Sequence, residues 1–193
     1  RGLHQIMVTR EGRLAGIVSE RDLFGLQRLT MRNVLQFIRH ARDVAGLRRA
    51  SRDSDALTDN LSLMGAGAET LTQTITALND ALTQKLFALL LPRFDLEDLD
   101  WCWLSVGSEG RREQTVATDQ DNALVFLCAT GASAAIRDRL LAFARAANEG
   151  LAALDFPLCP GNIMAGNPEY CLDTVEWRAK FAGWIREPTP EAL

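Results

Sequence analysis

Lysine, histidine and tyrosine are scarce in this sequence, and a long apolar run is missing. Its 193 residues include only two lysines, two histidines and one tyrosine, and the formal net charge is -4. Because binding to a nucleic-acid backbone requires clustered positive charge, DNA is not an expected partner. No apolar run approaches the ~20 residues that a membrane-spanning helix needs, so a membrane is not an expected partner either.

The four cysteines form no C-x-x-C pair, and with two histidines they do not predict a conventional zinc site. Cys102 and Cys128 lie in apolar, strand-like runs, where a cysteine usually behaves as a small buried hydrophobe. No leader or targeting pattern is visible in the sequence. A reducing, cytoplasmic setting is therefore predicted.

The apolar pattern divides the chain into three segments. Residues 1–29 predict two short strands, at 6–8 and 14–18, followed by a helix that Ser19 caps and whose first turn contains Asp22. Residues 30–92 have helical spacing throughout, and the remainder alternates between strand and helix patterns. This order predicts an α+β (α/β) protein with a helical segment before its sheet.

Apolar stripes predict the helices of the middle segment. One stripe covers residues 31–45, a second helix is expected around residues 55–63, and Gly65 and Gly67 interrupt the pattern. A long helix follows over residues 68–91. Its apolar stripe consists of Leu71, Ile75, Leu78, Leu82, Leu86 and Leu89. We expect this helix to pack on its own domain, and a homodimer or other oligomerisation surface is the alternative.

The last segment predicts strands at residues 101–106, 123–128 and 157–159. A long helix separates the second strand from the third. A final helix is predicted to begin at a capping box formed by Asp173 and Glu176.

The stretch GSEGRREQTVATDQDNALVF, residues 107–126, is the candidate site. Asp119 and Asp121 lie two residues apart at the start of a predicted strand, so their side chains point to one face while Gln120 points away. Two carboxylates so close repel each other unless a cation lies between them. Such hard oxygen ligands suit Mg²⁺, and a pair of ions would stabilise both oxygens of a phosphoryl displacement.

The beginning of the same stretch is suited to phosphate. Gly107 lets a phosphate approach the backbone, and the hydroxyl of Ser108 can donate a hydrogen bond to it. Arg111 and Arg112 supply permanent positive charge, and Glu113 could orient one of them. The stretch contains neither a P-loop nor a dinucleotide-binding G-x-G-x-x-G motif.

A Gly-Ser, about ten intervening residues and an acidic-x-acidic strand resemble the nucleotidyltransferase superfamily that includes DNA polymerase β and kanamycin nucleotidyltransferase. The quoted stretch resembles, more narrowly, the nucleotidyltransferase domain of bacterial signalling proteins. That domain is similar to the uridylyltransferases and adenylyltransferases of nitrogen control. It commonly follows a CBS (cystathionine β-synthase-type) pair, and VTREGRLAGIVSERDLF, residues 8–24, resembles the end of a CBS domain.

The resemblance implies a polymerase β-like core with a mixed sheet over residues 93–193, cut before a C-terminal helical domain. It assigns residues 30–92 to a helical linker and residues 1–29 to the C-terminal part of a CBS domain. In CBS domains a Ser/Thr-x-x-Asp pattern often holds an adenosine ribose, and Ser19 with Asp22 matches that pattern.

The implied activity is transfer of a nucleoside monophosphate from ATP or UTP to a hydroxyl group, expected to be on a protein, under the control of the CBS domains. The resemblance assigns the triphosphate to Gly107 and Ser108 and two Mg²⁺ ions to Asp119 and Asp121. Arg111 would neutralise phosphate charge, with Arg112 beside it.

Active members of the superfamily carry a third carboxylate on a later strand. The strand predicted at residues 157–159 contains no acid, and Asp155, Glu169 and Asp173 lack the expected placement. A catalytically degenerate module that senses nucleotides is therefore the alternative function.

Overall fold

A β-hairpin begins the part of the chain that the computed structural model describes, which comprises residues 5–19, 29–115, 119–128 and 133–187. Strand β1 (Gln5–Arg10) pairs antiparallel with strand β2 (Arg13–Ser19), which confirms both predicted strands. The two turn residues, Glu11 and Gly12, have φ angles of 53° and 76°, the left-handed conformation that such tight turns require. The helix predicted after Ser19, together with Asp22, lies outside the described residues.

The hairpin exposes an unusual amount of apolar surface. Five large apolar side chains are between 44% and 73% exposed: Ile6, Met7, Val8, Leu14 and Ile17. Isolated two-stranded hairpins are marginally stable in water, because they bury little. The hairpin therefore contributes nothing to the buried core formed by the described residues.

Three helices form the middle of the chain: α1 (Met31–His40), α2 (Val44–Leu63) and α3 (Ala68–Leu90). The prediction of one helix over residues 31–45 and a short second helix is wrong. The helical conformation is interrupted at residues 41–43, because Asp43 caps α2 and accepts a hydrogen bond from the Gly46 N–H at 2.6 Å. The predicted break before α3 is confirmed, and Gly65 adopts a φ of 79° there.

Helix α3 packs against α1 and α2 of its own chain and against the later helix α5 (Ser133–Ala152). Of its apolar stripe, Ile75, Leu78, Leu82 and Leu86 are buried in this way. The packing predicted for this helix is therefore confirmed, and most of the stripe is not available as an oligomerisation surface.

The remaining elements surround a three-stranded sheet. Strand β3 (Trp101–Ser105) leads to the short helix α4 (Gly107–Gly110), strand β4 (Asn122–Phe126) and helix α5. A 3₁₀ turn then leads to strand β5 (Cys171–Asp173) and helix α6 (Thr174–Arg186). Strand β4 lies in the middle, antiparallel to β3 and parallel to β5. The predicted α+β class and the mixed sheet are confirmed.

One predicted strand is wrong. Residues 157–159 form no strand, and the third strand of the sheet is β5, twelve residues further along the chain. The segment still runs beside the start of β4, because the Gln120 N–H donates to the Pro157 carbonyl at 2.9 Å. This bond holds residue 157 beside Gln120 without extending the ladder.

A hydrophobic core joins the helices of the middle segment to the sheet. Its centre is Phe143 on α5, which is fully buried and lies in edge or tilted contact with four aromatic rings: Phe87, Phe94, Trp101 and Trp103. The indole N–H of Trp177 on α6 donates to the Leu124 carbonyl at 3.0 Å and anchors this helix to β4. Among the described helices, none combines the length and apolarity needed to cross a membrane.

Candidate functional site

The site begins where β3 ends. The Val106 N–H donates to the Asp121 carbonyl at 3.0 Å, which draws the start of α4 against the residues before β4. Gly107 has a φ of 57°, and a Cβ atom there would lie 2.4 Å from Oδ2 of Asp121. Only glycine satisfies both requirements, because any other side chain would be strained and would displace the carboxylate.

Asp119 and Asp121 face one side of the chain, while Gln120 and Asn122 face the other. Both aspartates are partly exposed, whereas Gln120 and Asn122 are only 3% and 1% exposed. This is the alternation of an extended segment, in which successive side chains point to opposite faces. The two aspartates thus lie on the face of the segment that borders the site, and Gln120 and Asn122 lie on the face that borders the interior.

The interior face is held by a network of amides. The Asn148 side-chain NH₂ on α5 donates to Oε1 of Gln120 at 2.8 Å and to Oδ1 of Asn122 at 3.0 Å. The Gln120 NH₂ in turn donates to the carbonyls of Asn148 and Phe156 at 3.0 and 2.9 Å. Because these polar groups are buried and paired, they fix the direction of the segment that carries the two aspartates.

The same network fixes the segment that follows α5. The N–H of Ala165 donates to Oδ1 of Asn122 at 2.8 Å, and the N–H of Asn122 donates to the Ile163 carbonyl at 3.1 Å. Residues 156–166 are therefore attached to the D-x-D segment at several points. We call these bonds of Gln120, Asn122 and Asn148 the amide clamp. The clamp was not predicted from the sequence, although the alternation of carboxylates and amides in Asp-Gln-Asp-Asn was visible.

Cys159 lies on that attached segment, beside the aspartates. One ligand atom each from Asp119, Asp121 and Cys159 lies within 4.8 Å of the other two, and all three residues are partly buried. Burial raises the pKa of the Cys159 thiol, and a hydrogen bond and charge from Asp121 raise it further, against the lowering effect of the Ile163 and Gly161 backbone. Nothing in the local sequence indicated this placement.

The carboxylates considered as third ligands lie elsewhere. In the described ranges, 5–19, 29–115, 119–128 and 133–187, the only group suited to a metal is the one containing Cys159. Asp173 pairs with Phe126 at the far end of β4, so it is about 16 Å along the strand from Asp121. Asp155 is exposed and forms a weak ion pair with Arg48 at 3.8 Å, and Glu169 is exposed beside β5.

Asp173 has a structural task instead. Its side chain accepts hydrogen bonds from the N–H groups of Val175 and Glu176 at 2.8 and 2.9 Å, which completes the predicted capping box of α6. These backbone bonds, together with the Ser133 hydroxyl, lower the pKa of Asp173. The capping box predicted from the sequence is thus confirmed.

The surroundings of the site are negatively charged. Glu109 on α4 accepts a hydrogen bond from the Ser105 hydroxyl at 3.0 Å. Burial raises the pKa of Glu109, and the neighbouring carboxylates Asp80 and Asp121 raise it further. Several carboxylates in one place favour a bound cation, which would relieve their mutual repulsion.

The remaining predicted site residues lie along and after α4. Ser108 is half-buried, and its carbonyl accepts a hydrogen bond from the Glu113 N–H at 2.9 Å. Arg111 and Arg112 are exposed, and Nε of Arg111 lies 2.9 Å from a Glu113 oxygen. Glu113 thus orients an arginine as expected, while the phosphate contacts of these residues stay a prediction.

The donor set fits a divalent cation. It provides two carboxylate oxygens and one sulfur on a partly open surface, which leaves room for further ligands from water or substrate. Gly107 leaves the space beside Asp121 clear of a side chain. Asp119, Asp121 and Cys159 are the residues that would hold the ion.

The α+β fold and the Gly-Ser and D-x-D elements define a nucleotidyltransferase-type domain. The model of the family described as "Putative nucleotidyltransferase DUF294" matches residues 52–191, and the chain belongs to this family. The matched range begins inside α2 and includes all of α3. Comparison with curated proteins and with solved structures found no match.

Proposed function

We propose that this protein transfers a nucleoside monophosphate from ATP or UTP to a hydroxyl group on a protein acceptor, in a reaction that requires a divalent cation. The observation that supports this most is the contact between Gly107, which begins the phosphate-binding element, and Asp121 of the D-x-D element. The two elements are 14 residues apart in sequence, yet they form one site. Family membership supports the nucleotide as substrate.

In the proposed reaction the acceptor oxygen forms a bond to the α-phosphorus of the nucleotide. The bond between that phosphorus and the oxygen bridging to the β-phosphate breaks, pyrophosphate leaves, and the hydroxyl proton passes to solvent. Gly107 allows the triphosphate to approach the backbone, and Ser108 donates a hydrogen bond to it. Asp119 and Asp121 hold the cation, which, when bound, neutralises the charge that develops on the phosphate oxygens.

Positioning would contribute much of the rate in this scheme, because the chain provides a fixed site rather than a covalent nucleophile. The buried amides behind the D-x-D segment fix the backbone that carries the two carboxylates. The backbone of the D-x-D segment is therefore fixed before substrate binds.

Labelled nucleotide provides the test. The protein is incubated with ATP or UTP labelled at the α-phosphate and with a cell extract as the source of acceptor, and labelled protein is measured. Replacing Asp119 and Asp121 by Asn should lower the labelling rate on the order of 100-fold or more. Replacing the exposed Asp59 on α2 by Asn is the matched control and should leave the rate unchanged. Equal labelling by the site variant and the control would refute the proposal.

A nucleotide sensor is the second candidate. It is favoured by the composition of the ligand group found among the described residues, in which the third member besides Asp119 and Asp121 is a thiol and not a carboxylate. In this case calorimetry would detect binding of nucleotide with a divalent cation, and pyrophosphate release would not be detected. Pyrophosphate release that depends on the two aspartates would exclude the sensor.

We further propose that residues 1–29 are the end of a CBS domain that regulates the site. The exposed apolar side chains of the β1–β2 hairpin support this, because such a surface needs a covering partner. The other part of a CBS domain would cover it. A longer chain that includes the preceding residues should protect the hairpin amides from hydrogen exchange, and unchanged exchange would count against the proposal.

A further inference from the structure

We propose that Cys159 is the third protein ligand of the cation held by Asp119 and Asp121. The site would accordingly bind a thiophilic divalent cation, of the class of Zn²⁺, Co²⁺ and Cd²⁺, more tightly than Mg²⁺. The inference rests on the proposed function only in taking the D-x-D pair as a cation site. It changes the class of cation that this site prefers.

The distances suit a shared ion. Ligand oxygens lie about 2.0–2.2 Å from Zn²⁺ and thiolate sulfur about 2.3 Å, so two ligands of one ion are at most about 4.5 Å apart. The three ligand atoms already lie within 4.8 Å of one another. The side chains would have to move somewhat closer together to close around an ion.

The backbone on both sides of Cys159 is fixed. Before it, the Pro157 carbonyl accepts the Gln120 N–H at 2.9 Å. After it, the Asn162 N–H donates to the Cys159 carbonyl at 2.9 Å, and Ile163 accepts the Asn122 N–H at 3.1 Å. The thiol is therefore attached to the same segment as the two carboxylates, and its position does not depend on a free loop.

Cys159 lies in a segment that is bonded to the D-x-D residues, although this segment is not the strand on which a third carboxylate was expected. The Pro157 carbonyl accepts the N–H of Gln120, which is the residue between the two aspartates. An oxygen ligand there would give a hard, Mg²⁺-type site, whereas a sulfur ligand shifts the preference towards softer ions. On binding, the S–H bond breaks, a metal–sulfur bond forms and the proton passes to the buffer.

Titration with Cd²⁺ tests the assignment, since a cadmium–thiolate bond gives a charge-transfer band in the ultraviolet. The titration uses the full chain with Cys128 replaced by Ser, because Cys128 lies 3.6 Å from Asp173 and offers a second thiol beside a carboxylate. We expect the band to saturate with one ion per chain. Replacing Cys159 by Ser should abolish it and weaken Cd²⁺ binding at least about 10-fold. Replacing the exposed Cys102 by Ser is the matched control and should preserve the band.

A band of unchanged intensity after replacement of Cys159, or an unchanged ratio of Cd²⁺ to Mg²⁺ affinity, would overturn the inference. Circular dichroism checks that the variant is folded. If the variant does not fold, the unmutated chain is used instead. Zn²⁺ should then slow the alkylation of Cys159, located by peptide mass spectrometry, and leave the alkylation of Cys102 unchanged. Equal alkylation of Cys159 with and without Zn²⁺ would also overturn it.

The outcomes separate this inference from the proposed function. Labelling that depends on Asp119 and Asp121, without a thiolate band, removes Cys159 as a ligand and leaves the transferase intact. A band that depends on Cys159 and both aspartates, without any nucleotide transfer, removes the transferase and leaves the metal site intact.

Discussion

The stability of the site depends on Asn148, and replacing it by Ala should be costly. Its side chain is 5% exposed and bonds to Gln120, Asn122 and the Gly166 N–H. The variant leaves the Gln120 oxygen and the Gly166 N–H without these partners, while Asn122 keeps its bond from Ala165. Each buried group left unpaired costs about 1–3 kcal/mol, so we expect the free energy of unfolding to fall by about 2–6 kcal/mol.

Urea unfolding, followed by far-ultraviolet circular dichroism and by tryptophan fluorescence, measures this loss. The control is Glu149→Ala, in which the exposed next residue of the same helix is also replaced by alanine. It should change the free energy by no more than about 0.5 kcal/mol. An Asn148→Ala variant as stable as this control would show that water replaces the lost bonds and that the amide clamp is not required.

Three further predictions concern two residues of the site, Gly107 and Glu109, and the cap of α6, Asp173. Gly107→Ala should weaken calorimetric Cd²⁺ binding and lower stability, because its Cβ would meet Asp121, whereas Gly183→Ala, with open space around it, should do neither. Asp173→Ala should lower the free energy of unfolding by about 1 kcal/mol at neutral pH. Because the folded-state pKa of Asp173 lies below 3.8, this stabilisation is lost as the pH falls below this value. The difference in free energy of unfolding between the variant and the wild type should therefore become smaller in acid. Glu109→Gln should be more stable than wild type in urea unfolding at neutral pH without metal. The raised pKa of Glu109 means that its ionised form destabilises the folded state above pH 4.5. Equal stability of the two proteins would contradict this.

Local signals in the sequence were sufficient for much of the fold. The long helices α3 and α5 have sustained apolar periodicity, and the hairpin and the strands β3 and β4 have apolar runs bounded by turn residues. Asp173 and Glu176 marked the start of α6 by their spacing. Each of these features is decided within a few residues, so a single sequence is enough to find it.

The errors involve elements that depend on distant partners. Strand β5 has only three residues and is defined by pairing with β4, 47 positions earlier, so no local period could indicate it. Residues 157–159 have the composition of a strand but make one bond to the Gln120 N–H rather than a ladder. The boundary between α1 and α2 depends on the cap at Asp43. The apolar spacing in the sequence continues across this position, so it does not reveal the boundary.

The site itself was only half visible for the same reason. The D-x-D pair and Gly107 could be found because the residues that carry the chemistry are adjacent or follow a known spacing. Cys159 could not, since it is 38 positions from Asp121 and its own neighbours form a plain loop. The bonds that tie residues 156–166 to the D-x-D segment bring the thiol to the carboxylates, and they come from both the side chains and the backbone N–H groups of Gln120 and Asn122.

The clamp makes the two faces of one short segment interdependent. Gln120 and Asn122 contribute no ligand, yet their buried bonds determine where Asp119 and Asp121 point and where Cys159 lies. A change on the interior face should therefore lower cation affinity without removing a ligand, whereas a change to a ligand should lower affinity and leave the buried bonds intact. Substitutions of the two kinds can be told apart by stability, because only the first leaves buried polar groups unpaired.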